Sequence, residues 1–330
     1  PDHLLTNRQM GLHFLREGNL VEAEKHLRQC VDQVTGNYTI ARDADAVYYL
    51  GITLFHQQQH EEAAVWLNQA SWHRGWRSPA FHHLSLIESL RGNEAEAIDY
   101  ARESLESDPK NLESQVLLAS MLRRGELYQE ANLHLARALE LDPLNLWAIY
   151  ESMLLHESGA ASPFIRKAAD ASISVFRDVP DNFLRVAGKC IQAGQFRAAL
   201  DLLDRSLVLA DTAAGNYPLI GYYLSWLYDE LGDNSRAVEF AELAGEQVRK
   251  NCFPYGLVSR QILEDITHDF PDDAAAHYIL GNLYADHLPD KAVDAWDKAV
   301  ELDRELAVAY RNIAFILANR QNKIQEAIEN

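Results

Sequence analysis

Cysteine is scarce in this chain of 330 residues: Cys30, Cys190 and Cys252 are the only three. They lie far apart, so at least one has no partner within the chain, and neither a disulfide framework nor a Cys-x-x-Cys metal site can be built from them. That usage points to a reducing, cytoplasmic setting. Basic residues are also in short supply, 30 Lys and Arg against 49 Asp and Glu, which leaves a formal charge of −19. Binding to a phosphate backbone depends on basic patches that displace counterions, so nucleic acid is excluded as a partner class. No apolar run approaches the roughly 20 residues that span a bilayer, and the N-terminus has no charged-then-apolar signal pattern, which excludes a membrane role. Phosphate loops, GxGxxG turns after a strand and GxSxG elbows are all missing, so no enzyme chemistry and no cofactor is expected. The chain starts at Pro1, and Ala327-Ile328-Glu329 before Asn330 reads as the opening of a helix. Both ends therefore suggest a piece of a longer protein.

What is present is a period. Hydrophobic residues make up 48% and charged residues 24%, the balance of an ordinary folded chain with enough apolar surface for a core. Asp108-Pro109 and Asp142-Pro143 stand 34 residues apart. Between them, Leu117-Leu118-Ala119, Gly125, Tyr128, Ala131, Leu135 and Ala138 alternate small, aromatic and apolar positions at helical spacing. Further units are marked by Leu50-Gly51, Ala63, Leu67 and Ala70, and by Leu84, Gly92, Ala97 and Leu105. Met10-Gly11, Phe14, Gly18, Ala23 and Leu27 form a degenerate first copy. Later copies are Phe183, Ala187, Gly194 and Ala199; Leu224, Tyr228, Gly232 and Ala237; and Leu280-Gly281, Tyr284, Ala292, Trp296 and Ala299.

About nine or ten two-helix units are expected. Small residues such as Gly51, Ala63, Ala70, Ala131 and Ala138 belong where helices approach closely. Gly18-Asn19, Gly92-Asn93, Gly125-Glu126 and Gly232-Asp233 should end first helices through a glycine at positive φ. Pro109, Pro143 and Pro271 block continuation of second helices. Longer linkers fall at Thr35 to Asp43 and Asp211 to Tyr217, and a bend at Glu157 to Pro163 divides an array 1–156 from an array 157–330. Cys252-Phe253-Pro254 precedes a lone helix ending at Phe270.

These repeat residues resemble the tetratricopeptide family over nearly the whole chain. The resemblance implies an all-α, right-handed superhelical solenoid whose first helices line a concave groove that binds protein. Ala70 to Ser78, Asp142 to Ala148, Cys252-Phe253-Pro254, Pro271 to Leu283 and Tyr310 to Ile313 resemble, more narrowly, the C-terminal arrays of large bacterial proteins. In those, a β-sandwich region of galactose-mutarotase type and uncertain function precedes the repeats. The heat-shock-peptide clamp of tetratricopeptide co-chaperones is absent, since Leu12 stands four after Arg8 where that clamp needs Asn.

The expected groove residues are Tyr48, Phe55, His82, Arg123, Trp147, Tyr150, Tyr222, Trp226 and Asp229. Aromatics offer rigid contact area, although at helical spacing an aromatic is more often packing between repeats. Arg123 and Arg124 present guanidinium forks to an acidic ligand, or else form a solvated helix end. Trp72 and Trp76 share a helical face if their helix continues. His56 and His60 have the i, i+4 spacing of metal ligands but no accompanying glutamate motif, and no metal is assigned. Three functional classes follow: a scaffold for a protein or peptide, including another domain of the same parent chain; a glycan-contacting arm of a carbohydrate-active enzyme; and self-association into a homodimer through Ile313, Phe315, Ile316 and Leu317.

Overall fold

A computed structural model describes residues 3–35, 44–170, 175–177, 179–208, 217–247 and 252–319. Among them are eighteen α-helices and no strand. The chain divides into two compact units: unit 1 is Pro1–Arg177 together with the short segment Gln192–Gln195, and unit 2 is Asp178–Ile191 with Phe196–Asn330.

Unit 1 contains five successive helix pairs: α1 (Leu4–Arg16) with α2 (Leu20–Thr35), α3 (Asp45–His56) with α4 (His60–Ser71), α5 (Arg77–Leu90) with α6 (Glu94–Ser107), α7 (Leu112–Arg124) with α8 (Tyr128–Leu141), and α9 (Leu146–Glu157) with α10 (Pro163–Asp170). Each helix packs on the next in sequence, and first helices also touch one another, α1 on α3, α3 on α5 and α7 on α9. The second helices bury one stripe each at i, i+4, i+7: Ala23-Leu27-Cys30, Ala63-Leu67-Ala70 and Ala131-Leu135-Ala138. A leucine in such a stripe is worth about 1.5–3 kcal/mol of burial. The glycines of the first helices make room for it. A Cβ on Gly51 would stand 2.8 Å from Leu67 Cγ, and one on Gly11 would stand 2.6 Å from Leu27 Cγ.

The Asp-Pro repeat has a local cause. Asp108 Oδ1 and Asp142 Oδ1 accept the N–H two residues on, at 3.0 and 3.1 Å, which turns the chain where proline forbids more helix. Three residues after each Asp, Asn111 and Asn145 cap the next helix through their side-chain oxygens, onto Ser114 N and Ala148 N at 3.1 and 2.9 Å.

Unit 2 has the pairs α11 (Pro180–Gln192, its last residue grouped with unit 1) with α12 (Phe196–Leu207), and α13 (Pro218–Glu230) with α14 (Asn234–Glu246). Then come the single helix α15 (Leu257–Asp269), the pair α16 (Ala274–Tyr284) with α17 (Pro289–Leu302), and α18 (Ala307–Asn319). The lone helix read from the sequence is α15, with Phe270 as its C-cap. Gly281 repeats the close approach of Gly51, here against the Trp296 indole.

One of the four expected turn glycines departs from the pattern. Gly18, Gly92 and Gly232 have φ of 73°, 79° and 81°, but Gly125 does not; Glu126 takes the positive φ, 60°. The Leu127 N–H reaches Leu122 O at 2.8 Å, so the left-handed position falls one residue after the glycine. The linkers 36–43 and 211–216 lie outside the described residues. Ile313, Ile316 and Leu317, expected to lack cover, are buried, while Phe315 is 63% exposed.

Candidate functional site

The side chains singled out by repeat position sit on first helices. In unit 1, Tyr48 of α3 stacks on Trp76 with ring centroids 4.4 Å apart. Trp76 Nε1 donates to Asp45 Oδ1 at 2.8 Å, and the other oxygen of that carboxylate accepts from Arg8 at 3.4 Å. His83 meets both Tyr48 and Phe55 edge-on. Tyr48, Phe55, Trp76 and His83 thus form one aromatic cluster. Burial pushes the Tyr48 hydroxyl well above its ordinary range.

Trp72 and Trp76 are not on one helical face, because α4 ends at Ser71 and α5 starts at Arg77; Trp72 is 66% exposed while Trp76 wedges into the cluster. His56 ends α3 and His60 starts α4. Both rings flank Phe55 at 5.4 and 5.5 Å, and burial lowers the pKa of His60. Among the described residues no group of three His, Cys, Asp or Glu is placed to hold a metal.

His82 belongs to a buried polar network instead. Its Nδ1 is 3.0 Å from Ser114 Oγ, which is 2.8 Å from Ser104 Oγ. Asn111 adds an amide N–H to Ser78 Oγ at 2.9 Å. These bonds join α5, α6 and α7, satisfying polar groups that would otherwise be costly to bury.

Where α7 meets α9, Arg123 Nε pairs with Glu151 Oε2 at 2.7 Å, and Glu151 is fully buried. Trp147, one turn earlier on α9, and Tyr150 are buried beside it in sequence, at 5% and 0% exposure. Arg124 pairs with Glu94, so each of the two arginines already faces a carboxylate of this chain. Ser120, one turn before Arg123, accepts from Gln195 Nε2 at 2.7 Å.

In unit 2, the Tyr222 hydroxyl donates to Asp273 Oδ2 at 2.9 Å and Trp226 Nε1 to Asp265 Oδ2 at 2.9 Å. Phe196 meets Trp226 edge-on at 5.6 Å. Burial, then the adjacent Asp273 carboxylate, push the Tyr222 hydroxyl well above its usual range. Burial raises the pKa of Asp265 against the opposing Trp226 hydrogen bond, with Asp269 and Glu264 adding to the rise. Glu230 is raised by burial and then by Asp229 and Asp265. Of the nine expected groove residues, seven are buried, Arg123 is partly covered and Asp229 is exposed.

Glu151, Asp265 and Gln195 were not among the sequence candidates. Glu151 carries a signal, a lone charge within the apolar run Leu146 to Leu155. Gln195 carries none, since its partner Ser120 is 75 positions away.

A family model described as "Tetratricopeptide repeat" matches residues 8–75, from within α1 to just beyond α4. No curated protein matches the chain. Among solved structures, a tetratricopeptide repeat protein from Parabacteroides merdae is 13% identical with a TM-score of 0.40, covering 94% of this chain and 97% of that one. The MamA protein is 19% identical with a TM-score of 0.23, over 71% and 96%. A monomeric mutant of IFIT1 with Gppp-AAAA is 15% identical with a TM-score of 0.32, over 99% and 76%. At these scores none of the three bears on what this chain binds.

Proposed function

We propose that the chain is a non-catalytic interaction scaffold, which holds a segment of a partner protein, or another domain of the same parent chain, against its first-helix faces. The observation that carries this reading is the anchoring of aromatics across neighbouring elements: Trp76 by Asp45, Trp226 by Asp265 and Tyr222 by Asp273. Tyr222 and Trp226 are themselves buried and Trp76 is half-buried, so these bonds fix the helices that carry the face, and a face built on fixed helices loses little conformational freedom when a partner docks. Repeating helix pairs and the tetratricopeptide match at 8–75 support the same reading. The narrower resemblance to arrays that follow a mutarotase-type region favours a partner within the same parent protein.

Asp229 lies at the exposed end of the Trp226 face, so it serves as the reporter. A photoreactive residue placed at Asp229 in the source cells is expected to give a discrete crosslinked adduct, to a partner protein or to another domain of the parent chain, located by peptide mapping. The same residue at Val238, an exposed position on α14, is expected to give none. Equal labelling at the two positions, or no adduct at either, overturns the proposal.

A further inference from the structure

Trp72 and Arg74 break the repeat at the corner between α4 and α5. One period of 34 residues further on, their positions hold Glu106 and Asp108, and two periods on they hold Glu140 and Asp142. Asp108 and Asp142 make the Asp-Pro turns, so this corner has given up both that turn and its negative charge. Departures of this kind from an otherwise consistent pattern concentrate at functional sites.

The altered residues belong to one continuous patch. Trp72 is the C-cap of α4 and keeps a helical backbone, φ −69° and ψ −16°, so it stays on the helix face that carries Val65 and Asn68. Val65 and Trp72 are 63% and 66% exposed. Asn68 faces the Tyr100 hydroxyl of α6, and Tyr100 stacks on Phe81 of α5 with ring centroids 5.8 Å apart. The Arg77 guanidinium lies 5.9 Å from the centre of the Phe81 ring, which closes the patch back to the start of α5.

Its charge is unusual for this molecule. Arginines elsewhere in unit 1 are taken up by the chain: Arg28 pairs with Glu62, Arg91 with Glu88, Arg102 with Glu130 and Arg124 with Glu94. Arg74 and Arg77 are exposed and pair with no carboxylate among the described residues. A chain of formal charge −19 thus presents two open guanidinium forks beside a large indole. Such forks match carboxylates, and a tryptophan of this kind supplies much of the binding energy once a partner covers it.

We propose that the Trp72–Arg74–Arg77 corner of unit 1 docks an acidic segment of a partner protein that carries an aromatic side chain between its carboxylates. The site is centred on the end of α4 rather than on a first-helix face, and so goes beyond the scaffold reading.

The probe is acetyl-Glu-Asp-Phe-Glu-Asp-amide, with a version holding Lys at the four acidic positions as control, added to the whole chain labelled with fluorotryptophan. The fluorine resonance missing from Trp72→Phe identifies Trp72. The acidic peptide is expected to shift that resonance saturably at millimolar concentration, and the Lys version to leave it in place. Arg74→Glu with Arg77→Glu is expected to weaken binding about tenfold or more, because like charges then face each other. Neither arginine holds an ion pair of the chain, and a carboxylate at the first residue of α5 suits the helix N-terminus, so the variant is expected to fold by circular dichroism. Should it not, Arg74→Gln with Arg77→Gln removes the charges without reversing them and decides the matter. No shift at millimolar peptide, equal shifts from the two peptides, or a folded double variant that binds like the unaltered chain overturns the proposal. So does a Trp72 resonance that moves with protein concentration alone, which would make a second copy the occupant. None of these outcomes alters the adduct expected at Asp229, so this site and the scaffold reading are decided separately.

Discussion

Single residues decide where the chain turns, and they do so within one position. Five of the left-handed residues that close first helices are glycines, Gly18, Gly92, Gly159, Gly194 and Gly232, but Gln58 and Glu126 hold the same conformation with side chains. An L-residue in that region costs about 1–2 kcal/mol. Glu126→Gly is therefore expected to stabilise the protein by up to about 1 kcal/mol, part of the gain being offset by the freer unfolded chain; urea denaturation checks it, and a loss of stability contradicts it. The glycines at three turns were legible because Gly followed by Asn or Asp is strong turn chemistry. Gly125 misled for a plain reason: the hydrogen bonds at the end of α7, not the residue type, choose which position flips. Tyr48 and Trp226 were legible as aromatics on first helices, but composition does not say that Asp45 lies near one cluster and Asp265 beside the other indole.

At the scale of elements, the fold was readable because one helix pair is written repeatedly. Asp, Pro and Asn at 108, 109 and 111 recur at 142, 143 and 145, and both copies perform the same turn and cap. What joins successive pairs was less readable, because it depends on side chains about 30 residues apart that no local pattern links. Arg28 reaches Glu62 at 2.6 Å in this way, and Arg123 reaches Glu151. The second of these ties α7 to α9 out of water. Arg123→Ala leaves a buried carboxylate uncompensated and is expected to cost about 3–5 kcal/mol, whereas Arg123→Ala with Glu151→Leu removes the stranded charge and recovers most of the loss. Equilibrium unfolding of both variants is the measurement; equal losses in single and double variants would show that the pair is not the tie.

At the scale of the whole molecule, acidity dominates, and its cost is felt where carboxylates crowd. Glu230 is held above its ordinary pKa by burial and by Asp229 and Asp265. A raised folded-state value means this group favours folding below its unfolded pKa, and that contribution is lost as pH rises through the folded one. Glu230→Gln is thus expected to raise the melting temperature at pH 7 and to make no difference near pH 4; a gain of equal size at both values would point to packing rather than charge. The three thiols offer a different use of the same structure. Cys30, Cys190 and Cys252 are all buried, and burial pushes the Cys252 thiol up to about 11, so a closed chain barely reacts with an alkylating reagent at neutral pH. Modification then waits for each neighbourhood to breathe, and the three labelling rates become natural clocks for local opening in α2, in α11 and just ahead of α15.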